Sequence, residues 1–247
     1  MSSKYQKAKI IENVELVEGI YKMTIDGDYS NDRAGQFYML RSWGIEPFLS
    51  RPISIHDANS EGITFLYEVR GRGTELFSEL KRGDYMELLG PLGNGFDVDN
   101  ISGKVAIVTG GVGIAPMGLV VKKLQNCEID FYAGFREMDY SLSYIQNHVK
   151  NVHISTDSGA IGHKGFIIEI FDPTGYDYVL SCGPTPLMKK VAEICNEKGV
   201  KSYLSLESTM ACGVGACLGC TCETTKGKQR VCKEGPVFSG EDVNFDA

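Results

Sequence analysis

The chain has 247 residues, of which 43% are hydrophobic and 23% are charged, and its formal net charge is −7. This composition is typical of globular proteins, and the length is sufficient for two domains with a small addition. An acidic chain without a cluster of Lys or Arg argues against binding to nucleic acid or to an anionic membrane surface.

The N-terminal segment and the cysteines indicate where the protein works. The first residues, MSSKYQKAKIIENVELVEG, contain no uncharged apolar core of the length found in signal peptides. No apolar run approaches the ~20 residues that are needed to span a bilayer. We therefore expect a cytoplasmic protein. Thiols are kept reduced in that compartment, so the eight cysteines are not expected to form a set of disulfides.

Residues 1–100 have the pattern of a β-rich domain. Short apolar-rich runs recur, several of them alternate polar and apolar positions, and turns rich in Gly, Asp and Asn separate them. The pattern predicts a small closed barrel of six strands at residues 9–16, 20–25, 36–40, 53–56, 63–69 and 85–89. One helix at 75–80 is predicted before the last strand, with Thr74 as its N-cap.

From about residue 101, short apolar strands alternate with helices. The predicted strands are 105–109, 129–134, 152–156, 178–181 and 202–206, and the predicted helices are 116–124, 141–148, 166–171 and 186–198. Such alternation predicts a parallel sheet with helices on both faces, so residues 101–206 form an α/β domain. Residues 207–247 are rich in Gly and Cys and too short for an apolar core of their own, which predicts folding around a metal centre.

The spacing of the last cysteines predicts the kind of metal centre. Four of them follow the pattern C-x4-C-x2-C-x11-C: Cys212, Cys217, Cys220 and Cys232. The first three spacings match the plant-type [2Fe–2S] loop, whose irons take four thiolates. Glycines at 213, 215 and 219 allow the loop to turn backbone N–H groups toward the cluster.

Two alternatives remain open for this segment. One is a structural zinc site. Such sites usually show two C-x2–4-C pairs, whereas the second pair here would have to consist of Cys220 and Cys222, which only one residue separates. The other is Cys222 in place of Cys220 as a ligand, although the two-residue spacing favours Cys220. Cys127, Cys182 and Cys195 are expected to be small buried side chains that bind no metal.

Two motifs in the barrel indicate a bound diphosphate. Arg51-Pro52-Ile53-Ser54 begins a strand, and an arginine beside a hydroxyl binds phosphates through charge-assisted hydrogen bonds. Gly71-Arg72-Gly73-Thr74 opens the helix, where free N–H groups attract anions. Taken alone, the first motif indicates a surface ion pair and the second a capped helix. Taken together, the two motifs resemble the FAD site of ferredoxin reductases. Tyr67 either stacks on the flavin or serves as a barrel side chain.

Two glycine turns in the α/β domain indicate a second nucleotide. Residues 109–116 follow the first parallel strand and open a helix, although their spacing is not G-x-G-x-x-G. Residues 182–184 follow strand 178–181 in the same way. Open sheets bind ligands beyond the carboxyl ends of their strands, so two such turns favour a bound nucleotide over plain tight turns. The predicted NAD contacts are Gly110, Gly111, Gly113, Cys182, Gly183 and Pro184.

The chain closely resembles the electron-transfer subunits of the NAD-dependent, two-subunit dihydroorotate dehydrogenases of bacteria. The resemblance covers nearly the whole chain and is carried by residues 51–54, 73–74, 90–96 (GPLGNGF), 110–116, 182–188 (CGPTPLM), 210–217 (MACGVGAC) and 232–238 (CKEGPVF). The GPLGNGF stretch and the four-cysteine loop are the most specific of these motifs.

The resemblance implies the cofactors, the partner and the contacts. FAD would be held by Arg51, Pro52, Ile53, Ser54, Leu66, Tyr67, Glu68, Gly73 and Thr74, and the cluster by the four cysteines named above. The partner would be an FMN-containing catalytic subunit, in a heterotetramer with two copies of each chain. Electrons from dihydroorotate would pass through FMN, the cluster and FAD to NAD+, in pyrimidine biosynthesis. Arg72 departs from the family pattern and receives no role, and no catalytic acid or base is assigned.

Two other functions share some of these features. A sister electron-transfer subunit, of a ferredoxin:NADP+ oxidoreductase or a cytoplasmic hydrogenase, has the same FAD, nucleotide and [2Fe–2S] domains. A zinc-bound interaction module without a redox role is the other. The residues do not distinguish NAD from NADP, because Arg136 either contacts the 2′-phosphate of NADP or is a solvent-exposed charge. The choice of NAD follows from the resemblance alone.

Overall fold

The protein is represented by a computed structural model that describes residues 3–246. Six antiparallel strands close into a barrel in the order β1-β2-β5-β4-β3-β6, which confirms the predicted barrel. Their bounds are β1 (Lys4–Val17), β2 (Ile20–Asp26), β3 (Phe37–Arg41), β4 (Arg51–Ala58), β5 (Gly62–Glu68) and β6 (Tyr85–Leu92). Buried and exposed side chains alternate along β6, as expected for a strand with one face in the barrel core: Met86 and Leu88 are fully buried, whereas Tyr85 faces outward.

The helix of the barrel, α1 (Arg72–Ser78), begins before the position that the sequence predicts. Gly71 is its N-cap, and Thr74 lies at the third helical position, so the predicted N-cap at Thr74 is wrong. The hydroxyl of Thr74 instead accepts the backbone N–H of Arg70 at 2.9 Å. A threonine in the first turn satisfies the same free N–H groups from inside the helix, so the residue type alone does not distinguish the two positions.

The second half of the chain builds a seven-stranded sheet in the order β10-β9-β8-β7-β11-β12-β15. Its strands are β7 (Gly103–Gly110), β8 (Cys127–Phe135), β9 (Asn151–Thr156), β10 (His163–Lys164), β11 (Tyr178–Cys182), β12 (Lys201–Ser205) and β15 (Val237–Ser239). The strands up to β12 pair in parallel, as predicted, and β15 adds to β12 in the antiparallel direction. Neither β10 nor β15 is foreseen by the sequence pattern.

The connections between these strands are short helices. They are α2 (Met117–Lys123), α3 (Leu142–Gln146) and α4 (Thr185–Lys198), and α4 ends at Gly199, as predicted. The predicted helix at 166–171 is a single 3-10 turn, Ile167–Ile170. The cysteine-rich segment adds a hairpin, β13 (Thr221–Thr224) and β14 (Gly227–Arg230), before it reaches β15. Within residues 3–246, no helix has both the length and the apolar character needed to cross a bilayer.

Two hydrophobic cores lie on opposite faces of the sheet. Along β7, Val105 and Ile107 enter the larger core, which is continuous with the barrel interior and includes residues of α2 and α3. The alternate residues, Ala106 and Val108, enter a smaller core that contains residues of α4. That smaller core also includes buried residues of the cysteine-rich segment: Met210, Cys220, Val231, Cys232 and Phe238. The segment therefore shares a core with the sheet and the barrel, because it is too short to build one alone.

Candidate functional site

A cleft of about 470 Å³ opens where the barrel, the sheet and the residues after β12 meet. This volume lies within the usual range for small-molecule sites. The barrel contributes Phe37, Arg51, Pro52, Ile53, Ser54, Leu66, Tyr67, Glu68, Arg70, Gly71 and Thr74. The rest of the lining is Val112, Ala115, Pro116, Cys182, Ser205, Leu206, Glu207, Ser208, Met210 and Pro236. The cleft thus brings together all the predicted FAD residues except Gly73, which lies directly behind Arg51.

Arg51 is held in place by contacts on two sides. A Cβ atom added at Gly73 would lie 2.5 Å from Arg51 Nε, so only glycine lets the guanidinium approach the first turn of α1. On the other side, the guanidinium lies 5.3 Å from the centre of the Trp43 ring, which itself stacks on Phe77 of α1. A guanidinium fixed in this way presents its remaining N–H donors in one orientation, which suits a diphosphate. The sequence pattern did not reveal Trp43.

Tyr67 makes the contacts of a barrel side chain. Its ring stacks on Tyr21 at 5.6 Å, and its hydroxyl donates to Asn13 Oδ1 at 3.1 Å. Asn13 in turn donates through Nδ2 to the carbonyl groups of Phe77 and Leu80, at 2.8 and 2.9 Å. Tyr67 borders the cleft while its ring remains packed within the barrel wall, so stacking on a flavin is not needed to explain its burial.

The two predicted nucleotide turns lie side by side. β7 and β11 are neighbours in the sheet, with Thr109 opposite Cys182, so both turns emerge from the same edge. A Cβ atom added at Gly113 would lie 2.3 Å from the carbonyl oxygen of Cys182, which shows how tightly the turns pack. Cys182 lines the cleft; Gly110, Gly111, Gly113, Gly183 and Pro184 lie next to it without lining it. The first turn is a 3-10 turn, Gly111–Ile114, which precedes α2.

A buried histidine joins the barrel to the sheet domain beside this cleft. His56 Nδ1 lies 2.8 Å from the carbonyl oxygen of Ala115, and Nε2 lies 3.0 Å from Ser141 Oγ. Because a carbonyl only accepts, Nδ1 carries the proton and Nε2 accepts from the hydroxyl. Burial lowers the pKa of His56 and favours this neutral form. The sequence gives no signal for this bridge, since its partners are 59 and 85 residues away.

The wall that follows β12 adds an acidic group to the cleft. Glu207 as a whole is exposed, but partial withdrawal of its carboxyl group from solvent raises the pKa of Glu207; Arg70 opposes this shift and Glu68 adds to it. Arg70 also forms an ion pair with Glu68, with Nη2 2.6 Å from Oε2. The sequence reasoning missed Glu207. The rule that identified the other turns would have found it, because Glu207 lies beyond the carboxyl end of a parallel strand adjacent to β11.

The four predicted ligand cysteines form two pairs. The backbone N–H of Cys217 donates to Cys212 Sγ at 3.4 Å, and the N–H of Cys232 donates to Cys220 Sγ at 3.4 Å. Cys220 and Cys232 are buried, whereas Cys217 is exposed. Two pairs of thiols suit a [2Fe–2S] cluster, in which each iron takes two protein ligands. Within residues 3–246, no three His, Cys, Asp or Glu side chains converge on a single ion position.

Backbone N–H groups surround the first pair, as the glycine-rich sequence predicts. Burial raises the pKa of the Cys212 thiol, but hydrogen bonds from the N–H groups of Cys217, Val214 and Ala216 outweigh it and lower the pKa to about 6. Two of the three predicted glycines have left-handed backbone, at φ values of 69° for residue 213 and 82° for residue 215. Gly219 does not; Leu218 takes that conformation instead, with a φ of 61°.

Cys222 occupies a different position from Cys220. It lies on β13, opposite Gln229 of β14, and burial raises the pKa of its thiol. The neighbour of Cys232 is Cys220, to whose sulfur it donates. The structure therefore brings together the set that includes Cys220 and leaves Cys222 on the hairpin.

The GPLGNGF stretch attaches the cysteine-rich segment to the barrel. Asn94 Nδ2 donates to the carbonyl groups of Lys233 and Glu234, at 3.2 and 3.1 Å, and the Asn94 N–H donates to Gly235 O at 2.6 Å. On the other side of the segment, a Cβ atom added at Gly213 would lie 2.6 Å from Met39 Cγ of β3. These contacts place the cysteines against the barrel, next to the cleft, and give this motif a structural role.

A six-stranded antiparallel barrel, a parallel sheet and a cleft between them define a ferredoxin-reductase-like electron-transfer protein, here with an added cysteine-rich segment. A solved structure of an NADH-dependent reduced ferredoxin-NADP oxidoreductase superposes with a TM-score of 0.88 and 28% identity, over 97% of this chain and 90% of that one. Residues 207–244 match the family model of the iron-sulfur cluster binding domain of dihydroorotate dehydrogenase B, which confirms iron–sulfur over zinc.

Sequence relatives then identify the family. The dihydroorotate dehydrogenase B (NAD(+)) electron transfer subunit of Clostridium acetobutylicum is 54% identical, over 98% of both chains. The subunit of the same name from Clostridium perfringens is 47% identical, over 99% of this chain and 100% of that one. The chain belongs to the family of dihydroorotate dehydrogenase B electron transfer subunits.

Proposed function

We propose that this chain carries electrons between the catalytic subunit of an NAD-dependent dihydroorotate dehydrogenase and NAD+, in the pathway that makes pyrimidine nucleotides. The observation that carries the proposal is that two sites lie side by side in a chain 54% identical to such a subunit. One is the cleft between the barrel and the nucleotide turns, and the other is formed by the two pairs of cysteines. When bound, FAD exchanges a hydride with the nicotinamide and single electrons with a [2Fe–2S] cluster.

The residues of this chain bind and orient the cofactors. We assign the FAD diphosphate to Arg51, whose guanidinium is fixed by Gly73 and Trp43. Ser54 and Thr74 supply polar groups on the same wall of the cleft. Pro52, Ile53 and Leu66 give it apolar surface that excludes water.

The nucleotide and the cluster take the neighbouring positions. We assign NAD to the turns at 110–113 and 182–184, which pack together at the carboxyl edge of the sheet. We assign the cluster to Cys212, Cys217, Cys220 and Cys232, because they form the two pairs. On this assignment, residues 1–100, 101–206 and 207–247 serve FAD, NAD and the cluster, respectively, although β15 joins the last part to the sheet.

The partner is a catalytic subunit that contains FMN and oxidises dihydroorotate. We infer that it docks on the surface around the cysteines, because Val214 and Leu218 are 46% and 62% exposed next to the exposed Cys217. Exposed apolar side chains around a redox centre suit a protein interface. We further propose a heterotetramer with two copies of each chain, located in the cytoplasm. No acid or base for dihydroorotate oxidation is assigned to this chain.

The test compares the chain alone with the chain coexpressed with its catalytic partner. Alone, it is expected to bind FAD, iron and sulfide and to reduce ferricyanide with NADH, without oxidising dihydroorotate. The copurified complex is expected to contain FMN as well and to reduce NAD+ with dihydroorotate. Its mass tests the heterotetramer. Dihydroorotate oxidation by the isolated chain, or a complex unable to pass electrons to NAD+, would overturn the proposal.

A further inference from the structure

Arg230 links the hairpin of the cysteine-rich segment to the loop that carries the first two cysteines. Its Nη1 donates to the carbonyl oxygen of Gly215 at 2.8 Å. Gly215 lies between Cys212 and Cys217 in the loop, and Arg230 lies two residues before Cys232. One side chain therefore connects the chain segments that supply three of the four cysteines.

Glu234 fixes the orientation of this arginine. Its Oε2 accepts both the side-chain Nε of Arg230, at 2.9 Å, and the backbone N–H of Arg230, at 2.8 Å. Its Oε1 accepts from Arg230 Nη2. The carbonyl of Arg230 accepts the N–H groups of Lys233 and Glu234, both at 3.0 Å. The guanidinium and the carboxylate thus form two parallel hydrogen bonds, and each of the two side chains is only about one third exposed. Such a pair is more ordered than an isolated surface ion pair.

The peptide that Arg230 contacts lies between the first two cysteines, next to a peptide that donates to a sulfur. The carbonyl of the peptide joining Gly215 to Ala216 accepts from Arg230, and the next peptide along the loop donates the N–H of Cys217 to the sulfur of Cys212 at 3.4 Å. Because hydrogen bonds in a chain polarise one another, a charged donor on this carbonyl makes the N–H of the same peptide a stronger donor.

We propose that Arg230, held by Glu234, is a positioning residue that turns the 215–216 peptide toward the cluster sulfurs and raises the midpoint potential of the cluster. Uptake of one electron makes the cluster more negative, so N–H donors and a nearby positive charge favour the reduced form. This inference rests on the proposed function, since it presumes that the four cysteines hold a [2Fe–2S] cluster. The midpoint potential in turn sets how readily the cluster accepts an electron from the partner.

The test is a redox titration of the purified complex, monitored by the EPR signal of the reduced cluster. Arg230→Gln removes both the charge and the fork, and is expected to lower the equilibrium constant for one-electron reduction about tenfold, a shift of about 59 mV to lower potential. Arg230→Lys keeps the charge but not the planar fork, and an intermediate decrease is expected, with a changed EPR line shape.

Lys228→Gln is the matched control. Lys228 lies on the same strand, pairs with Glu223 at 3.2 Å and is 73% exposed, so this variant removes one positive charge without touching the cysteine loop. Its potential is expected to equal that of the wild type.

Three outcomes would overturn the inference. They are an unchanged potential in Arg230→Gln with full iron content, an equal shift in Lys228→Gln, and a wild-type potential and line shape in Arg230→Lys. If Arg230→Gln fails to retain iron, the potential and line shape of Arg230→Lys test the inference instead. A wild-type complex without iron, sulfide and an EPR signal would instead overturn the proposed function, so the two failures are distinguishable.

Discussion

The cleft and the cysteine-rich segment are neighbours, but the chain holds them in different ways. The barrel side of the cleft is formed by strand ends and α1, and the barrel core contains fully buried side chains such as Ile55, Phe65 and Phe77. The cysteine-rich segment has only a hairpin of two four-residue strands and one three-residue strand, and it attaches to the barrel through Asn94 and Gly213 and to the sheet through β15. Packing thus organises the barrel side of the cleft, whereas the segment adds only a few buried side chains to a shared core and depends also on what its four thiols bind.

The largest expected effect is loss of the cluster from the segment while the cleft stays intact. Cys220→Ser removes the sulfur that lies next to Cys232, and its iron and sulfide content is expected to fall to near zero. Its FAD content is expected to remain that of the wild type, because the residues assigned to FAD all lie in the barrel, outside the segment. Colorimetric iron and sulfide assays beside flavin absorbance measure both quantities.

Cys222→Ser is the matched control for that variant. Cys222 lies on β13 opposite Gln229, so the serine variant is expected to keep its iron and sulfide. The reverse result, with iron retained in Cys220→Ser and lost in Cys222→Ser, would show that the ligand set is different. Loss of FAD from Cys220→Ser would show that the two regions fold as one.

A substitution in the cleft is expected to weaken FAD binding and to leave the cluster in place. Arg51→Gln removes a charged donor, and because hydrogen bonds to charged groups contribute ~1.5–3 kcal/mol, the Kd for FAD is expected to rise ~10–100-fold. The cluster is expected to be unaffected. Fluorescence titration of the flavin-free protein with FAD measures the Kd.

Arg72→Gln provides the comparison for Arg51. Arg72 lies on α1 and makes only an exposed pair with Glu75, at 3.8 Å, so its loss is expected to leave FAD affinity unchanged. Equal losses in both variants would mean that overall charge, and not the fixed guanidinium of Arg51, attracts the diphosphate.

A smaller effect is expected where the segment is attached to the barrel. Asn94→Ala removes two hydrogen bonds to the carbonyls of Lys233 and Glu234, which together contribute ~1–2 kcal/mol. Amide hydrogen exchange at Val231 and Gly235 is expected to accelerate ~5–30-fold, because opening of the segment becomes easier. In Asn100→Ala, which loses only a local bond to Asp97, exchange at these amides is expected not to change. An equal change in both would sink the idea that Asn94 attaches the segment.

The smallest effect concerns pH and the junction behind the cleft. Burial lowers the pKa of His56 below its ordinary 6.5, so the unfolded chain binds a proton more readily than the folded one. The resulting stabilisation is fully present above pH 6.5 and is lost as the pH falls below that value, by up to about 1.4 kcal/mol per pH unit. Denaturant unfolding between pH 5 and 7.5 measures this slope.

Two variants isolate the contribution of His56. His56→Gln is expected to flatten the slope, whatever its effect on the absolute stability. His148→Gln, at an exposed histidine, is expected to retain it. A wild-type slope in His56→Gln would mean that His56 is not the group responsible.

Local pattern predicted most of the elements and missed those that depend on remote partners. The barrel strands, the parallel sheet and the end of α4 at Gly199 follow from alternation, apolar runs and glycine placement. Strand β15 was missed because its three residues become a strand only by pairing with β12, more than thirty residues earlier in the chain. Thr74 was misassigned because a hydroxyl caps a helix equally well from two positions.

By itself, the sequence determined the two kinds of domain, the spacing of the four cysteines and the motifs for FAD and NAD, because each depends on residues close together in the chain. Only the tertiary structure decided that Cys220 lies beside Cys232, that Trp43 and Gly73 hold Arg51, and that His56 joins the barrel to the sheet. These contacts depend on distances across the fold, which packing of two hydrophobic cores fixes and local residue order does not.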